Sequence, residues 1–269
     1  MKDAGRMALS MRSNLEVSQK TSPEDQVSNA DLAISALIKN RLIERFREDL
    51  VISEEDANHQ VAIESFKRFW LIDPIDGTQN YIMDHDDYCV MVGLLARTDA
   101  RPAPVPIYGF VLAPQTARLY HGGLDCGAYR IDLNDESKEH KELRVDGSLI
   151  SDSKARVLMG TRDRRAHPWV QSVQQLQLIK TGSIGLKVAR ILEGEADLFI
   201  HLSGKLKTWD TAGPAAIALG AGLDVGCLDS DSLEFPLPAT LQECSVIMGK
   251  PGALNWCRKH LSREAIKDD

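Results

Sequence analysis

The chain has 269 residues, 43% hydrophobic and 26% charged, with a formal net charge of −7. That length suits one large domain or two smaller layers sharing a core, and the acidic balance argues against a general binder of nucleic-acid backbones. No apolar run approaches the roughly 20 residues of a membrane span, and the N-terminal MKDAGRMALSM lacks the apolar centre of a signal peptide.

In chain order, NADLAISALIKNRLIERFRE (29–48) places Ile34, Leu37, Ile38, Leu42 and Phe46 at helical spacing, with Asn29 as the expected cap. A short strand, LVIS, ends at Glu54-Glu55, and the strand FWLI runs into Asp73. CVMVGLLA, YGFVLAP, RLYHGG and AYRI are apolar, β-rich and separated by turn residues, which predicts an antiparallel meander. The polar segment 133–148 reads as a surface connection between an N-terminal metal-binding half (1–148) and a C-terminal α/β half (149–269) that closes the site.

The second half alternates. RVLMGT predicts a strand, HPWVQSVQQL a helix and LQLIKTG a strand. SIGLKVARILEG predicts a helix with Ile184, Val188, Ile191 and Leu192 on one face. ADLFIHL predicts a strand, WDTAGPAAIALGAG a helix ending in glycines, and CSVIMG a final strand. The expected class is α/β, with helices and two sheets in alternating layers and acidic strand ends facing a cleft. The five cysteines, Cys89, Cys126, Cys227, Cys244 and Cys257, have no CxxC spacing. They read as reduced, mostly buried thiols of a cytoplasmic protein.

The anomaly is WLIDPIDGTQNY (70–81), where an apolar run ends on Asp73, Pro74 and a second carboxylate at Asp76. Two carboxylates this close at a buried strand end are unfavourable without a cation. Pro74 would bend the chain so that both face one point, and the N–H groups of Gly77 and Thr78 would cradle an anion beside them. Carboxylates beside an anion cradle suit a hard cation, Mg²⁺ best. A strand-end turn with solvated aspartates fits the same short pattern. Glu54 and Glu55 at one strand end, Asp31 in a first helical turn and Asp210 at another helix start strengthen the metal reading. Each alone would also serve as a cap or a surface acid.

VISEED, WLIDPIDGT and KTWDTAG, in this order, resemble the three signatures of the inositol monophosphatase superfamily, and KTSPEDQVSNAD resembles its N-terminal stretch. The likeness runs from about residue 4 to about residue 250. It implies a layered αβαβα sandwich and Mg²⁺-dependent, Li⁺-sensitive hydrolysis of phosphate monoesters by a cytoplasmic enzyme, with a homodimer common in the family. Carried over by position, Glu54, Asp73 and the Ile75 carbonyl resemble ligands of a first metal. Asp73, Asp76 and Asp210 resemble those of a second, in a site for two or three Mg²⁺ ions. Asp31 and Thr78 resemble the pair that orients the attacking water, with Glu55 beside the site. Gly77 and Thr78 resemble the phosphate cradle. The family's first helix would begin several residues before Met1, which leaves two readings, a start placed late or a trimmed helix.

The superfamily acts on inositol phosphates, 3′-phosphoadenosine 5′-phosphate and fructose 1,6-bisphosphate. In inositol monophosphatases an acidic residue shortly before the WD aspartate meets ring hydroxyls; here that position is Ser203. Between Asp197 and Asp210 there is no acid, but His201, Lys205 and Lys207 are present. Donors and positive charge there suit a second phosphate. LSGK…WD therefore resembles bacterial 3′(2′),5′-bisphosphate nucleotidases, which clear a by-product of sulfate activation. MGTRDRRAHP, with Arg162, Arg164 and Arg165, resembles their basic turn, and GSIGLK puts Gly182, Ser183 and Lys187 near the expected nucleotide. The N-terminal wording and DPIDGT follow inositol monophosphatases instead. The partner is thus a small phosphorylated molecule, a nucleotide bisphosphate or an inositol phosphate.

Overall fold

The structure, a computed structural model, describes residues 1–19, 26–56, 63–98, 101–137, 139–145 and 154–261. KTSPED (20–25) of the expected N-terminal motif and the boundary expected at 148 lie outside them.

The N-terminal part begins with helix α1 (Lys2–Met11), a hairpin of β1 (Val17–Gln19) and β2 (Gln26–Ser28), and helix α2 (Asn29–Arg45). Ser28, not Asn29, caps α2: its hydroxyl accepts from Asp31 N, and Asp31 Oδ2 accepts from Ser28 N at 2.8 Å. This is the reciprocal capping box that a Ser-x-x-acid pattern permits. Asn29 Oδ1 instead accepts from Glu16 N. The short α1 packs fully on its small face, with Ala4 and Ala8 buried and the Tyr81 hydroxyl donating to Ala8 O at 2.6 Å.

β3 (Leu50–Ser53) and β4 (Arg68–Asp76) pair in parallel, and helix α3 (Thr78–Ile82) follows directly. β5 (Cys89–Thr98), β6 (Arg101–Ala113), β7 (Arg118–Gly123), β8 (Gly127–Asp132) and β9 (Lys141–Glu142) then extend the sheet as an antiparallel meander in sequential order. Both faces of this seven-stranded sheet are covered. Trp70, Ile72, Val90 and Val92 pack toward α1 and α2, while Phe69, Leu71, Cys89 and Met91 join the central core. That is the period-two consequence of a strand buried on both sides, and it explains why FWLI reads as an unbroken apolar run.

The C-terminal part supplies β10 (Ala155–Met159), α4 (Thr161–Ala166), β11 (Leu176–Lys180), α5 (Ile184–Leu192), β12 (Leu198–His201) and β13 (Leu206–Lys207). It ends with α6 (Thr208–Gly220), β14 (Asp224–Gly226), β15 (Leu241–Gln242), β16 (Val246–Gly249) and α7 (Ala253–Leu261). Five strands form a mixed sheet in the order β11-β10-β12-β16-β14. Leu158, Phe199 and Met248 face the central core, and Val157, Leu198 and Ile247 face a second core with α7. α5 and α6 fill the space between the sheets. α6 lies so close to β5 that a Cβ on Gly93 would sit 2.5 Å from Gly213 N, which requires glycine there. The result is the expected αβαβα layering.

One predicted helix is misplaced. HPWVQSVQQL holds only a short 3₁₀ turn, Pro168–Ser172, and the helical turns lie earlier, in α4. Pro168 restricts His167, which leaves the helical region (φ −126°, ψ 67°) and stops α4 at Ala166. Cys89, Cys227 and Cys257 are buried, Cys244 half-buried and Cys126 exposed, all as free thiols. Among the described residues no helix is long and apolar enough to cross a membrane.

Candidate active site

Three carboxylates converge where β3, β4 and α6 meet. Glu54, Asp73 and Asp210 each place an oxygen within 4.8 Å of the other two. Glu54 follows β3, and its N–H donates to Ile72 O at 3.0 Å, continuing the strand pairing into the turn. That turn is tied down: Ser53 N donates to Asp56 Oδ2, Lys39 Nζ to Asp56 Oδ1, and Ser35 and Ser53 share a hydroxyl bond at 2.7 Å. Glu55 shares the turn, its N–H directed at Ser53 Oγ. Asp210 stands in the first turn of α6, where its Oδ2 accepts from Lys207 N at 2.7 Å.

Asp73 is 2% exposed, and its Oδ1 has no hydrogen-bond partner among the described residues. Burial, then Glu54, Asp76, Asp210 and Asp31, push its pKa well above the usual carboxylate range. Asp210 is raised chiefly by burial and Glu54. A buried unpartnered oxygen among hard carboxylate donors fits a divalent cation of the Mg²⁺ type. The Ile75 carbonyl accepts from Thr78 Oγ1 at 3.0 Å and keeps a second lone pair.

Asp76 is held differently from this trio. Its Oδ2 accepts from Ser183 Oγ at 2.6 Å and from Gly185 N at 2.9 Å. Burial raises its pKa, against those two bonds and Lys187. Ser183, expected to touch substrate, is fully buried, caps α5 and fixes Asp76. The sheet register shifts between Asp73 and Asp76, so the bend expected at Pro74 is a local break in the ladder. Gly77 then takes φ +94°, a left-handed value that turns the chain into α3. Beside it Asp31, 1% exposed, has Oδ2 held by both donors of Ser28, and Oδ1 lies 3.5 Å from Thr78 Oγ1.

Lys187, another expected substrate contact, is also buried. It is 1% exposed, donates to Gly182 O at 3.4 Å and lies 4.8 Å from the Phe199 ring centre. α5 runs between two sheets with seven of its nine residues buried, Lys187 among them. Burial lowers its pKa to about 8, against the pull of nearby aspartates, Asp76 first. His201, also expected beside the substrate, is largely buried as well. Burial outweighs Asp163 and pushes its imidazole down to about 4, so it is neutral at pH 7 and adds no positive charge. Lys205 is exposed, and Arg162 reaches toward α3 with Nη2 3.4 Å from Gln79 Oε1.

Two residues that sequence reasoning passed over organise these parts. Asp87 accepts from Thr181 Oγ1 at 3.0 Å and from Gly182 N, and so holds the turn that leads into Ser183. Asp163, on α4, accepts from Leu202 N and Ser203 N after β12. Both stand in polar stretches, and no local pattern announces a partner so far along the chain.

The comparisons with known proteins agree with this geometry. The inositol monophosphatase family matches residues 2–266. A 3′(2′),5′-bisphosphate nucleotidase CysQ of Haemophilus influenzae is 28% identical over 212 residues, covering 77% of this chain and 72% of that protein. A 3′-phosphoadenosine 5′-phosphate phosphatase of Mycobacterium bovis is 27% identical over 242 residues, covering 87% and 80%. Among solved structures, a staphylococcal IMPase-I complexed with products superposes with a TM-score of 0.77 at 19% identity, over 98% of this chain and 92% of that one. An IMPase/NADP phosphatase complexed with Mg²⁺ and phosphate gives 0.78 at 18% identity, over 97% and 92%. With its fold, its acidic strand ends and its sequence in accord, the chain belongs to the inositol monophosphatase family, whose members are phosphatases.

Proposed function

We propose that the protein is an Mg²⁺-dependent phosphate monoester hydrolase that converts 3′-phosphoadenosine 5′-phosphate to AMP and phosphate. The observation that carries the hydrolase reading is the trio Glu54, Asp73 and Asp210 within 4.8 Å, beside the Asp31–Thr78 pair. These carboxylates, with the Ile75 carbonyl and the remaining oxygen of Asp76, would hold the metal. When bound, Mg²⁺ neutralises phosphate charge and acidifies a water. Asp31 keeps Oδ1 toward Thr78 because Ser28 pins its other oxygen, and it is the acceptor for the attacking water's proton. Gly77 and Thr78 open α3 and cradle the phosphate.

The nucleotide assignment rests on α4 and the loop after β12. Ser203 replaces the acid that would meet ring hydroxyls, and its own hydroxyl already donates to Asp163. Lys205 on that loop and Arg162 on α4 are exposed and suit a second phosphate. The names of the sequence relatives point the same way. Inositol 1-phosphate is the second reading, favoured by neutral His201, which thins the positive field.

Phosphate release with Mg²⁺ from the two substrates, compared by kcat/KM, decides between them. The expected result is a preference of about tenfold or more for the nucleotide, the order of one added charged contact. The reverse preference overturns the nucleotide assignment, and no release from either substrate overturns the hydrolase reading.

A further inference from the structure

α4 and the loop after β12 lie about forty residues apart in sequence, yet one side chain joins them. Asp163 is 2% exposed. Its Oδ2 accepts from Leu202 N at 2.9 Å, its Oδ1 accepts from Ser203 N at 3.0 Å, and the Ser203 hydroxyl also donates to Oδ1. His167, which ends α4, adds a second staple: its Nε2 lies 3.2 Å from Ser203 Oγ. A buried carboxylate that receives two backbone N–H groups and a hydroxyl is rigidly placed, and removing it leaves buried donors without a partner.

The two segments so joined each carry an exposed cation, Arg162 and Lys205. Arg162 precedes Asp163 on α4 and reaches Gln79 on α3, beside the phosphate cradle. Lys205 follows Ser203 after Gly204, whose φ of +59° sets the turn. Two flexible cations read a phosphate selectively only if their backbones are held at a fixed spacing. Asp163 supplies that spacing without itself reaching solvent.

We propose that Asp163 is a positioning residue that fixes α4 against the Leu202–Lys205 loop and thereby sets selectivity for a second phosphate on the substrate. This inference rests on the nucleotide reading above. The fitting probe pair is 3′-phosphoadenosine 5′-phosphate and adenosine 3′-monophosphate, which differ only in the 5′-phosphate. Wild type and Asp163→Asn are compared with saturating Mg²⁺. Asparagine keeps the shape, but its NH₂ group opposes one of the two backbone N–H donors.

The expected result is a KM for the bisphosphate raised about tenfold, the loss of one charge-assisted contact, with kcat within about threefold. KM for the monophosphate should move less than threefold. An equal rise for both substrates, a loss confined to kcat, or no change in either overturns the proposal. If Asp163→Asn does not fold, Ser203→Ala removes the hydroxyl's contacts with Asp163 and His167 but leaves both backbone N–H bonds to Asp163, and it should show the same split at smaller amplitude. An equal effect of Ser203→Ala on both substrates, or none, then overturns it. A wild type that hydrolyses neither nucleotide sinks the functional reading. A wild type that prefers the bisphosphate, with Asp163→Asn showing the same preference, sinks only the role of Asp163.

Discussion

Asp73 and Asp197 are both carboxylates beside core strands, and their surroundings are opposite. Asp197 precedes β12. Its oxygens accept from Arg156 N, Arg156 Nε, Arg156 Nη2 and Lys250 Nζ, at 2.8 to 3.1 Å. Burial acts to raise its pKa, but Arg156 and Lys250 outweigh it and hold the carboxyl well below the usual range. Asp73 ends the apolar run of β4, and burial and four neighbouring acids all push its pKa up. A carboxylate that serves the fold is folded together with its own cations. One that serves a metal is gathered with other acids, and a cation from solution relieves the repulsion.

The sharpest way to break this contrast is Asp73→Asn. Turnover should fall by roughly a thousandfold, the scale of losing a group that stabilises transition-state charge. In EDTA the variant should be at least as stable as wild type, because one repelled charge is gone. Near-wild-type turnover would remove Asp73 from the reaction. Next in size is the response to metal. Millimolar Mg²⁺ should raise the melting temperature of the EDTA-treated wild type by about 5 °C or more if it is well above its Kd. That shift should vanish in Asp73→Asn. An unchanged melting temperature on adding Mg²⁺ to wild type would reduce the trio to an ordinary acidic patch.

The same contrast explains what was legible in the sequence. WLIDPIDGT stands out because β4 is buried on both faces, so any charge at its end is an anomaly that needs a reason. The meander was readable because each strand alternates or runs apolar between turn residues. α4 and the loop after β12 gave no such signal. TRDRRA looks like a solvated basic turn, and the burial of Asp163 follows only from donors at Leu202 and Ser203. The burial of Lys187 was hidden for a related reason. Helical periodicity marks the apolar face of α5, but it does not tell that a second sheet covers the other side. α7 was passed over although Ala253, Leu254, Trp256 and Cys257 carry a usable helical pattern.

The subtlest expected effect is the pH dependence of stability, where the two aspartates should differ in sign. Asp197 has a lowered folded pKa, so it contributes stability above the unfolded value of about 3.9 and loses it as pH falls through that range. Asp197→Asn should therefore melt lower than wild type by about 5 °C at pH 7, with turnover within about twofold, and the gap should close below about pH 4. Asp73 has a raised folded pKa, so the native state binds more protons than the unfolded chain above about pH 3.9. Its contribution falls as pH rises until the folded pKa is passed. In EDTA, Asp73→Asn should match wild type near pH 4 and become progressively the more stable of the two toward pH 8. Melting curves of the three proteins from about pH 2 to pH 8 measure both gaps. If Asp73→Asn loses stability at neutral pH as Asp197→Asn does, Asp73 has a counter-charge of its own in the fold, and the distinction between a fold-serving and a metal-serving carboxylate fails at the residue on which it rests.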